Sequence, residues 1–491
     1  MIGQTISHHS NRNTDFNALF GKRNILWCNI SGAYVIGLDG SCPIRAVACL
    51  NDGQDFDLIE ARSGVQFLSY ERSTRRRVSV HGPDVDRIVL LLADRMAATI
   101  RHAPRSSWLL MCPQPTKTLD DFAASAGCAV ATNPAELCHW LNDKRNFLAG
   151  RKQLGLPDVA GRWRLFSSLR YGELALELGT PFVLQALRGH TGTGTAIVGD
   201  ESEFQDAAER LGDADVWCAR YLGRLSLNIN AFTTETGVAV SYPSVQLEGL
   251  GILGARRGVY CGNDFSAAAT LAGGIIEEAQ SQTERLGSWL RSLGYCGLFG
   301  VDFVLDESTG RLVAVDLNPR WQGSTTLEAM ASVRDGRIPL PLAQLAYSAG
   351  ALGSCDVASM ADVFRRPLLG SQMILETNGG HAERIEHTVR AGVYRTQDGV
   401  QFDREAVDLG ELRTEDELLL GSAVVRAGTT IEPGSRPARV FGLRPVVDAR
   451  TYAPEAWAQP AAEAFLRLFR LPVQIESRYC SPSTGAGTTL S

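Results

Sequence analysis

The sequence lacks the paired cysteine and histidine motifs that hold zinc or iron–sulfur clusters in many proteins. Its 11 cysteines are scattered singly from Cys28 to Cys480 without a CxxC pair, and its eight histidines include no HExxH. An odd number of isolated cysteines fits reduced thiols that are buried as small apolar side chains. We therefore expect neither a zinc site nor an iron–sulfur site.

Long apolar runs are also absent. No stretch approaches the ~20 residues that span a bilayer, and the opening "MIGQTISHHSNRNTDF" lacks the basic-then-apolar order of a secretory leader. The net charge of −6 argues against nucleic acid or an anionic membrane as the main partner, although Arg72 to Arg77 could form a local basic patch. We expect a cytoplasmic protein with no nucleic-acid or membrane partner.

Length and composition favour several globular domains. At roughly 150 residues per domain, 491 residues suggest about three, and 44% hydrophobic with 21% charged residues is ordinary for a globular protein. Strands alternate with helices in the first part, and short strands with glycine-rich connections dominate the last. We predict an N-terminal α/β domain over 1–135, a central domain over 136–350, a β-rich C-terminal domain over 351–480 and a flexible tail over 481–491.

The stretch "GVDFVLDESTGRLVAVDLNPR" places acids where two strands of a hairpin should pair. If Ser308 to Gly310 form the loop, Asp302 lies opposite Asp316 and Asn318 joins them on the same face. Facing like charges destabilise a strand pair unless a cation compensates them, and two carboxylates with an amide suit magnesium. The alternative is a solvent-facing strand with ordinary polar alternation.

A glycine- and threonine-rich loop, "GHTGTGT", separates two predicted strands. Its Gly192, Thr193 and Gly194 could let backbone N–H groups close over phosphates. The loop does not match GxxxxGK[ST] and joins strand to strand, which disfavours a P-loop NTPase. An ordinary hairpin is the alternative.

Five motifs occur in one order: "NDK", "GHTGTGT", "CARYLG", "GYCGLFGVDF" and "VDLNPRWQGS". From about Glu136 to Gly350 this order resembles the ATP-grasp superfamily, and the N-terminal segment is similar to the small domain that precedes its nucleotide-binding part. More loosely, the chain resembles stand-alone carboxylate–amine and peptide ligases of natural-product pathways. No biotin-carrier "MKM" is evident, which argues against a biotin carboxylase.

The resemblance implies a mixed α/β and α+β architecture: an ATP-grasp fold with an N-terminal Rossmann-like domain and a β-rich C-terminal domain. ATP would lie between two α+β subdomains with Mg²⁺, usually two ions. By motif, Asp302, Asp316 and Asn318 would bind the metal. Lys144 would touch phosphates, and Arg320 would reach the γ-phosphate or an acyl phosphate. The alternative for Lys144 is a solvated lysine in the first turn of a helix, and the alternative for Arg320 is a surface salt bridge.

The nucleotide-binding residues depart from the family at two points. Gln185 stands where the family has a second lysine, and the acidic residue that often holds ribose is missing after the hinge. Either Gln185 contacts the nucleotide through its amide, with charge supplied by Arg188, or phosphate transfer is impaired. The hinge whose backbone would meet adenine comprises Cys218, Ala219, Arg220 and Leu222.

The sequence says less about the substrate-binding residues than about the nucleotide-binding residues. Arg256 and Arg257 fall where the resemblance places residues over the acyl site, and they could hold a carboxylate or a phosphate. They could equally be a solvated pair.

Together these features predict an ATP- and Mg²⁺-dependent ligase. It would join a carboxylate, from an amino acid or a peptide-like acid, to a small-molecule amine through an acyl phosphate, releasing ADP and phosphate. Two alternatives stay open: acyl ligation to a thiol of a carrier protein or coenzyme A, and nucleotide binding without catalysis. The identity of acid and amine and the oligomeric state, for which a homodimer is one expectation, are not specified by the residues.

Overall fold

The computed structural model describes eight stretches of the chain: residues 20–38, 40–77, 85–189, 194–255, 257–350, 362–377, 381–397 and 399–471. The predicted tail lies outside them. The nine cysteines in these stretches form no disulfide, as expected for reduced thiols. Among the helices described, none has the length and apolar character needed to cross a membrane.

The N-terminal segment contains a five-stranded parallel sheet. Its elements are β1 Asn24–Cys28, β2 Ile44–Cys49, α1 Gln54–Ser63, β3 Gln66–Ser69, α2 Tyr70–Thr74, β4 Arg76–Arg77, α3 Val85–Ile100, β5 Trp108–Met111, α4 Lys117–Ala126, β6 Ala129–Val130 and α5 Ala135–Leu141. The strand order is β3-β2-β1-β5-β6, so the winding reverses between β1 and β5. Such a reversal leaves a crevice at the carboxyl ends of these strands, where α/β sheets commonly bind ligands.

A four-stranded antiparallel sheet, the small sheet, follows. Its segment contains α6 Lys144–Gln153, β7 Gly161–Leu165, α7 Tyr171–Leu178, β8 Phe182–Ala186, β9 Thr195–Val198, α8 Glu201–Leu211 and β10 Asp215–Arg220. Aromatic and aliphatic side chains from α7, α8 and the strands form a separate apolar core, including Phe166, Phe182 and Phe204. The small sheet therefore has an apolar core separate from that of the larger sheet.

The next segment begins the eleven-stranded large sheet. It contributes β11 Ser226–Thr233, β12 Val238–Val240, β13 Ser244–Glu248, β14 Tyr260–Asp264, α9 Phe265–Ala268, α10 Gly273–Ser292, β15 Gly297–Asp306, β16 Arg311–Asn318, α11 Thr325–Arg334 and α12 Leu340–Ser348. Between Phe265 and Ser292 the chain forms two helices, α9 and α10, separated by residues 269–272. Gly273 and Gly274, poor helix formers, stand at the start of the second.

The C-terminal segment continues the same sheet. Its elements are β17 Ser371–Ile374, β18 Glu383–Arg384, β19 Gly392–Arg395, β20 Gln401–Arg404, β21 Glu417–Gly421, β22 Thr430–Ile431, β23 Arg439–Gly442 and α13 Ala458–Leu468. The large sheet runs β16-β15-β11-β13-β14-β17-β23-β21-β19-β20, with β12 on β11. Because β17 pairs with β14, the predicted β-rich segment after residue 350 shares a sheet with the segment before it.

The basic run from Arg72 to Arg77 is not a free cationic patch. Arg72 pairs with Asp52 and Glu60, at 3.1 and 3.0 Å, and Arg76 pairs with Glu432 at 2.6 Å. Since these charges are neutralised within the chain, the structure offers no support for nucleic-acid binding at this run.

Arg77 fastens the N-terminal segment to the C-terminal one. Its guanidinium is buried and donates from Nε to Glu71 Oε2 at 2.9 Å. Its Nη1 donates to the backbone carbonyls of Ala423 and Arg436, at 2.9 and 3.0 Å. One buried cation therefore ties together segments more than 300 residues apart in sequence.

Arg77 contacts a turn, Ser422–Ala423, whose backbone is strained and which Asp55 also holds. Ser422 and Ala423 both have positive φ, 64° and 67°, a conformation that costs a non-glycine residue of order 1–3 kcal/mol. The buried carboxylate of Asp55 accepts hydrogen bonds from the N–H groups of Ala423 and Val424, each at 2.9 Å. These bonds offset the strain and fix the turn.

We predict that Arg77→Ala lowers the free energy of unfolding by about 3–5 kcal/mol, because it leaves the buried Glu71 carboxylate without its partner. Arg76→Ala removes a neighbouring arginine that is 67% exposed and should change stability by less than ~1 kcal/mol. Urea denaturation followed by tryptophan fluorescence measures both. Equal losses for the two variants would contradict a special role for Arg77.

Candidate active site

A cavity of about 610 Å³ lies where the parallel sheet, the small sheet and the large sheet meet. Asn29 and Ser31, just past β1, and Gln114, past β5, contribute to its wall. The crevice expected from the strand order is thus part of this cavity. The acidic hairpin forms the opposite wall.

The hairpin pairs Asp302 directly with Asp316, and Gly300 with Asn318, as the sequence predicts. The route to this register differs from the one expected. The loop has four residues, Glu307–Gly310, and pairs Asp306 with Arg311, which on its own would shift the register by one. An irregularity beside Val315 restores it and brings the acids face to face.

Asp302 is surrounded by amide donors. Asn228 Nδ2 donates to Oδ1 at 2.5 Å, Asn318 Nδ2 donates to Oδ2 at 3.1 Å, and Gln322 Nε2 lies 3.5 Å from Oδ1. Removal from water, together with the charge of Asp316, raises the pKa of Asp302 to about 6. Neutral amides orient this carboxylate without cancelling its charge.

Lys144 supplies a cation to the other acid. Its Nζ lies 3.1 Å from Asp316 Oδ1, and its side chain is 9% exposed against 36% for Asp316. The lysine opens α6, whose first turn is capped by Asp143, and its backbone N–H donates to the Leu187 carbonyl after β8. Lys144 is therefore a buried residue of the site rather than a solvated lysine.

Arg320 lies at the same end of the hairpin. Its Nη2 donates to Asn318 Oδ1 at 2.8 Å and its Nη1 to the Trp321 carbonyl at 3.2 Å, while Nε is buried without a partner. Among the described residues, no carboxylate lies within salt-bridge distance of its guanidinium. It keeps its positive charge available to the cavity.

Two glycines permit the close packing around these groups. A Cβ on Gly300 would come 2.0 Å from Gln322, and one on Gly323 would come 2.4 Å from the Tyr260 hydroxyl. Any larger residue at either position would push the loop that follows Asn318 out of place.

The structure does not gather every predicted site residue into this cavity. Gln185 lies on β8, 3.4 Å from the Thr195 hydroxyl, and only its neighbours line the wall. Gly194 lines it directly. Gly192, Thr193 and Arg256 fall outside the described residues.

The hinge residues and Arg257 do not line the cavity, although Ala219 and Leu222 pack against Val313 of the hairpin. The Cys218 side chain is buried in the small-sheet core, and Arg220 forms an ion pair with Asp306. Arg257 lies 3.5 Å from Glu203 on α8, so the structure does not place it over the acid pair.

Several cavity residues were missed by sequence reasoning. Asn228 pairs with Asp302 across β11 and β15, and the polar alternation of "SLNINAF" was the available signal. Tyr260 lies on β14, Arg439 on β23 and Arg436 just before β23, and no local pattern distinguishes them.

The far end of the cavity carries these arginines. Arg436 Nη2 donates to the Tyr260 carbonyl at 3.3 Å, and its Nε lies 3.8 Å from a Glu376 oxygen. Arg439 Nη1 lies 3.3 Å from the Gly323 carbonyl and 3.2 Å from an oxygen of Gln372. Cationic side chains thus outnumber carboxylates along the described wall, which favours anionic ligands.

No protein-family model matches the chain, and no curated protein matches it by sequence. Solved structures do match. A biotin carboxylase complex from Campylobacter jejuni is 14% identical with a TM-score of 0.55, covering 86% of this chain and 87% of its own. An N5-carboxyaminoimidazole synthase from Aspergillus clavatus, bound to ADP and 5-aminoimidazole ribonucleotide, is 13% identical with a TM-score of 0.50, covering 88% and 97%. At such identities the likeness concerns fold, and the fold of this chain is ATP-grasp.

Asp302 should make the unfolding free energy depend on pH. Its folded-state pKa, about 6, lies above its ordinary value of 3.8, so its ionisation opposes folding fully above about pH 6 and not at all below about pH 4. Without nucleotide or divalent cation, wild type should gain stability relative to Asp302→Asn as the pH falls from 7 to 4. Urea unfolding across this range measures the difference, with Asp121→Asn, an exposed acid, as the control. A gap independent of pH would contradict the prediction.

Proposed function

We infer that the chain is an ATP- and Mg²⁺-dependent ligase that joins a carboxylic acid to an amine. The observation that carries this proposal is the facing pair Asp302 and Asp316, set beside Lys144 and Arg320 in the cavity of an ATP-grasp fold. Two facing acids destabilise a sheet by themselves, and a bound cation would offset this repulsion.

The donor set fits a magnesium ion. Asp302, Asp316 and Asn318 offer hard oxygen atoms, and burial together with the charge of Asp316 raises the pKa of Asp302, so a cation beside the two carboxylates would favour their ionised forms. Mg²⁺ would neutralise phosphate charge during transfer. Asn228 and Gln322 would hold the Asp302 carboxylate in orientation for the metal.

Lys144 and Arg320 complete the charge balance. Lys144, which lies 3.1 Å from Asp316, would bind the phosphates, and Asp316 would hold the metal together with Asp302 and Asn318. The Arg320 guanidinium, which has no acidic partner among the described residues, suits bidentate binding of a transferred phosphoryl group.

An apolar cluster next to the acids suits the base. Val159, Ala219, Leu222 and Val313 pack together between β10 and the hairpin, with Val304 against them. Val304 lies two residues from Asp302 on β15, and therefore on the same face of the strand. We propose that adenine binds at this cluster, with backbone groups of the hinge reading its edge.

The proposed reaction needs no side-chain nucleophile. A carboxylate oxygen takes the γ-phosphoryl group, giving an acyl phosphate and ADP; the amine then attacks the acyl carbon, phosphate leaves and the nitrogen loses a proton. Positioning and electrostatic stabilisation supply the catalysis. Ligation to a thiol would use the same first step, and product mass separates amide from thioester.

The metal assignment is tested by Asp316→Ala. ATP with Mg²⁺ at ~100 times its dissociation constant should stabilise wild type by ~2.7 kcal/mol, and the variant should lose most of this gain while remaining folded. Thermal unfolding with ATP, with Mg²⁺ and with both measures it, and Asp121→Ala serves as an exposed-acid control. Wild-type protein that gains no stability from both ligands would contradict the proposed function.

The position of Gln185 allows a gain-of-function test. If its side chain reaches the phosphates, Gln185→Lys adds a favourable charge and should tighten MgATP binding by about tenfold, ~1.4 kcal/mol. Gln401→Lys, on an exposed position of β20, controls for a general charge effect. Isothermal titration calorimetry measures both affinities. Equal affinities for the two variants would place Gln185 away from the phosphates.

A further inference from the structure

Two polar residues at the end of β13, Gln246 and Glu248, belong neither to the proposed metal site nor to the proposed phosphate site. β13 pairs with β11 and places Ser244 opposite Asn228, which in turn lies opposite Asp302 on β15. Residues two apart on a strand share a face, so Gln246 and Glu248 follow Ser244 on the side of the sheet that carries Asp302. Gln246 lines the cavity.

The pairing of β13 with its other neighbour also puts Glu248 on this face. The register with β14 shifts between Leu247 and Glu248, so that Glu248 lies opposite Tyr260. Tyr260 lines the cavity, and residues directly opposite each other on an antiparallel pair point to the same side of the sheet. The cavity face of β13 therefore ends in an amide followed by a carboxylate.

Both side chains have polar atoms without a protein partner. Gln246 Oε1 is buried and accepts no hydrogen bond from the described residues. The half-buried carboxylate of Glu248 forms no hydrogen bond or ion pair with any of them, since only its backbone N–H and carbonyl are bonded. Amide and carboxylate oxygens accept hydrogen bonds, so this pair suits a ligand that offers hydroxyl groups.

The surroundings of Glu248 place it between the acid pair and the hinge. Burial, together with the negative charge of Asp302, raises the pKa of Glu248 to about 8. Burial and, to a smaller extent, the charge of Glu248 raise the pKa of Tyr221, which follows β10 within the hinge. Glu248 is thus close enough to both parts of the proposed nucleotide site to interact with their charges.

A residue of the C-terminal segment fixes the backbone of the pair. The Tyr452 hydroxyl accepts a hydrogen bond from the Glu248 N–H at 2.6 Å and donates one to the Gln246 carbonyl at 2.7 Å. One hydroxyl therefore holds both residues where the pairing with β14 is irregular. A pair that the fold has already ordered loses less entropy when it binds a ligand.

The level of the pair on the sheet corresponds to the middle of a bound nucleotide. In the proposed function the phosphates lie at Asp302, and the base lies at the apolar cluster that Val304 contacts. These two residues are roughly 7 Å apart along β15. Val304 lies opposite Ser226 on β11, and Gln246, two residues beyond Ser244, comes level with Ser226. The sugar that joins base and phosphates would lie at this level.

We propose that Gln246 and Glu248 bind the 2′- and 3′-hydroxyl groups of the nucleotide's ribose. Carboxylates bind ribose hydroxyls in this way in dinucleotide-binding folds. The pair would take the role of the acidic residue that is missing after the hinge. The inference rests on the proposed ligase function, because it assigns residues to the sugar of the same nucleotide.

The test compares ATP with 2′,3′-dideoxy-ATP, which lacks both hydroxyl groups. Isothermal titration calorimetry measures the affinity of the full chain for each nucleotide with Mg²⁺ and without an acid or an amine. Glu248→Ala and Gln246→Ala are compared with wild type, and Glu386→Ala, which removes an exposed acid of the C-terminal segment, is the control. Thermal unfolding without ligand reports whether each variant is folded.

We expect wild type to bind ATP roughly tenfold to a hundredfold more tightly than dideoxy-ATP, because the analogue leaves the two acceptors unpaired. Glu248→Ala and Gln246→Ala should each weaken ATP binding, leave dideoxy-ATP binding unchanged and so reduce this preference. Glu386→Ala should keep the wild-type ratio. A purely structural role of either residue would instead weaken both nucleotides equally.

Equal affinities of wild type for ATP and dideoxy-ATP would overturn the inference without recourse to any variant. So would a Glu248→Ala protein that keeps the wild-type ratio, or one that loses affinity for both nucleotides to the same extent. In each of these cases wild type still binds ATP, so the proposed ligase function survives. If neither nucleotide binds to wild type, the proposed function fails, and this inference fails with it.

Discussion

The facing carboxylates of Asp302 and Asp316 are the constraint around which the rest of the cavity is arranged. Repulsion between the two carboxylates destabilises the hairpin, and the neighbouring groups reduce this repulsion in different ways. Lys144 neutralises one acid, while amides of Asn228 and Asn318 hold the other without neutralising it. Because the repulsion is only partly relieved, an additional positive charge beside the two carboxylates would stabilise the site further.

The far end of the cavity, away from the hairpin, joins segments of the chain that are distant in sequence. Arg77 and Asp55 make buried contacts to the Ser422–Ala423 turn, which has a strained backbone. Strain of this size persists only where surrounding contacts determine the conformation. The two ends of the cavity are therefore held by separate networks of contacts.

Sequence reasoning predicted the parts of this site that depend on local pattern. The predicted pairing of Asp302 with Asp316 is observed, but the prediction assumed a three-residue loop. The four-residue loop that forms would set Asp302 opposite Val315, and only the bulge at Val315, which leaves no recognisable signal, restores the pairing. The α/β character of the first segment followed from its alternating strands and helices. Arg436 and Arg439 could not be predicted, because only the pairing of β14 with β17 and of β17 with β23 carries them to the cavity.

Gln185 stands at the position where the resemblance predicts a second lysine. The proposed MgATP site has one fewer lysine than the ATP-grasp resemblance predicts, so other cations would have to balance the charge of the triphosphate. Lys144, Arg188 and Arg320 all line the described cavity. Arg188 lies 3.6 Å from Asp143, whose carboxylate also caps the helix that Lys144 begins, so these two cations are positioned by one acid. Because one carboxylate positions two cations of the proposed phosphate site, that site would depend less on a third cation at position 185.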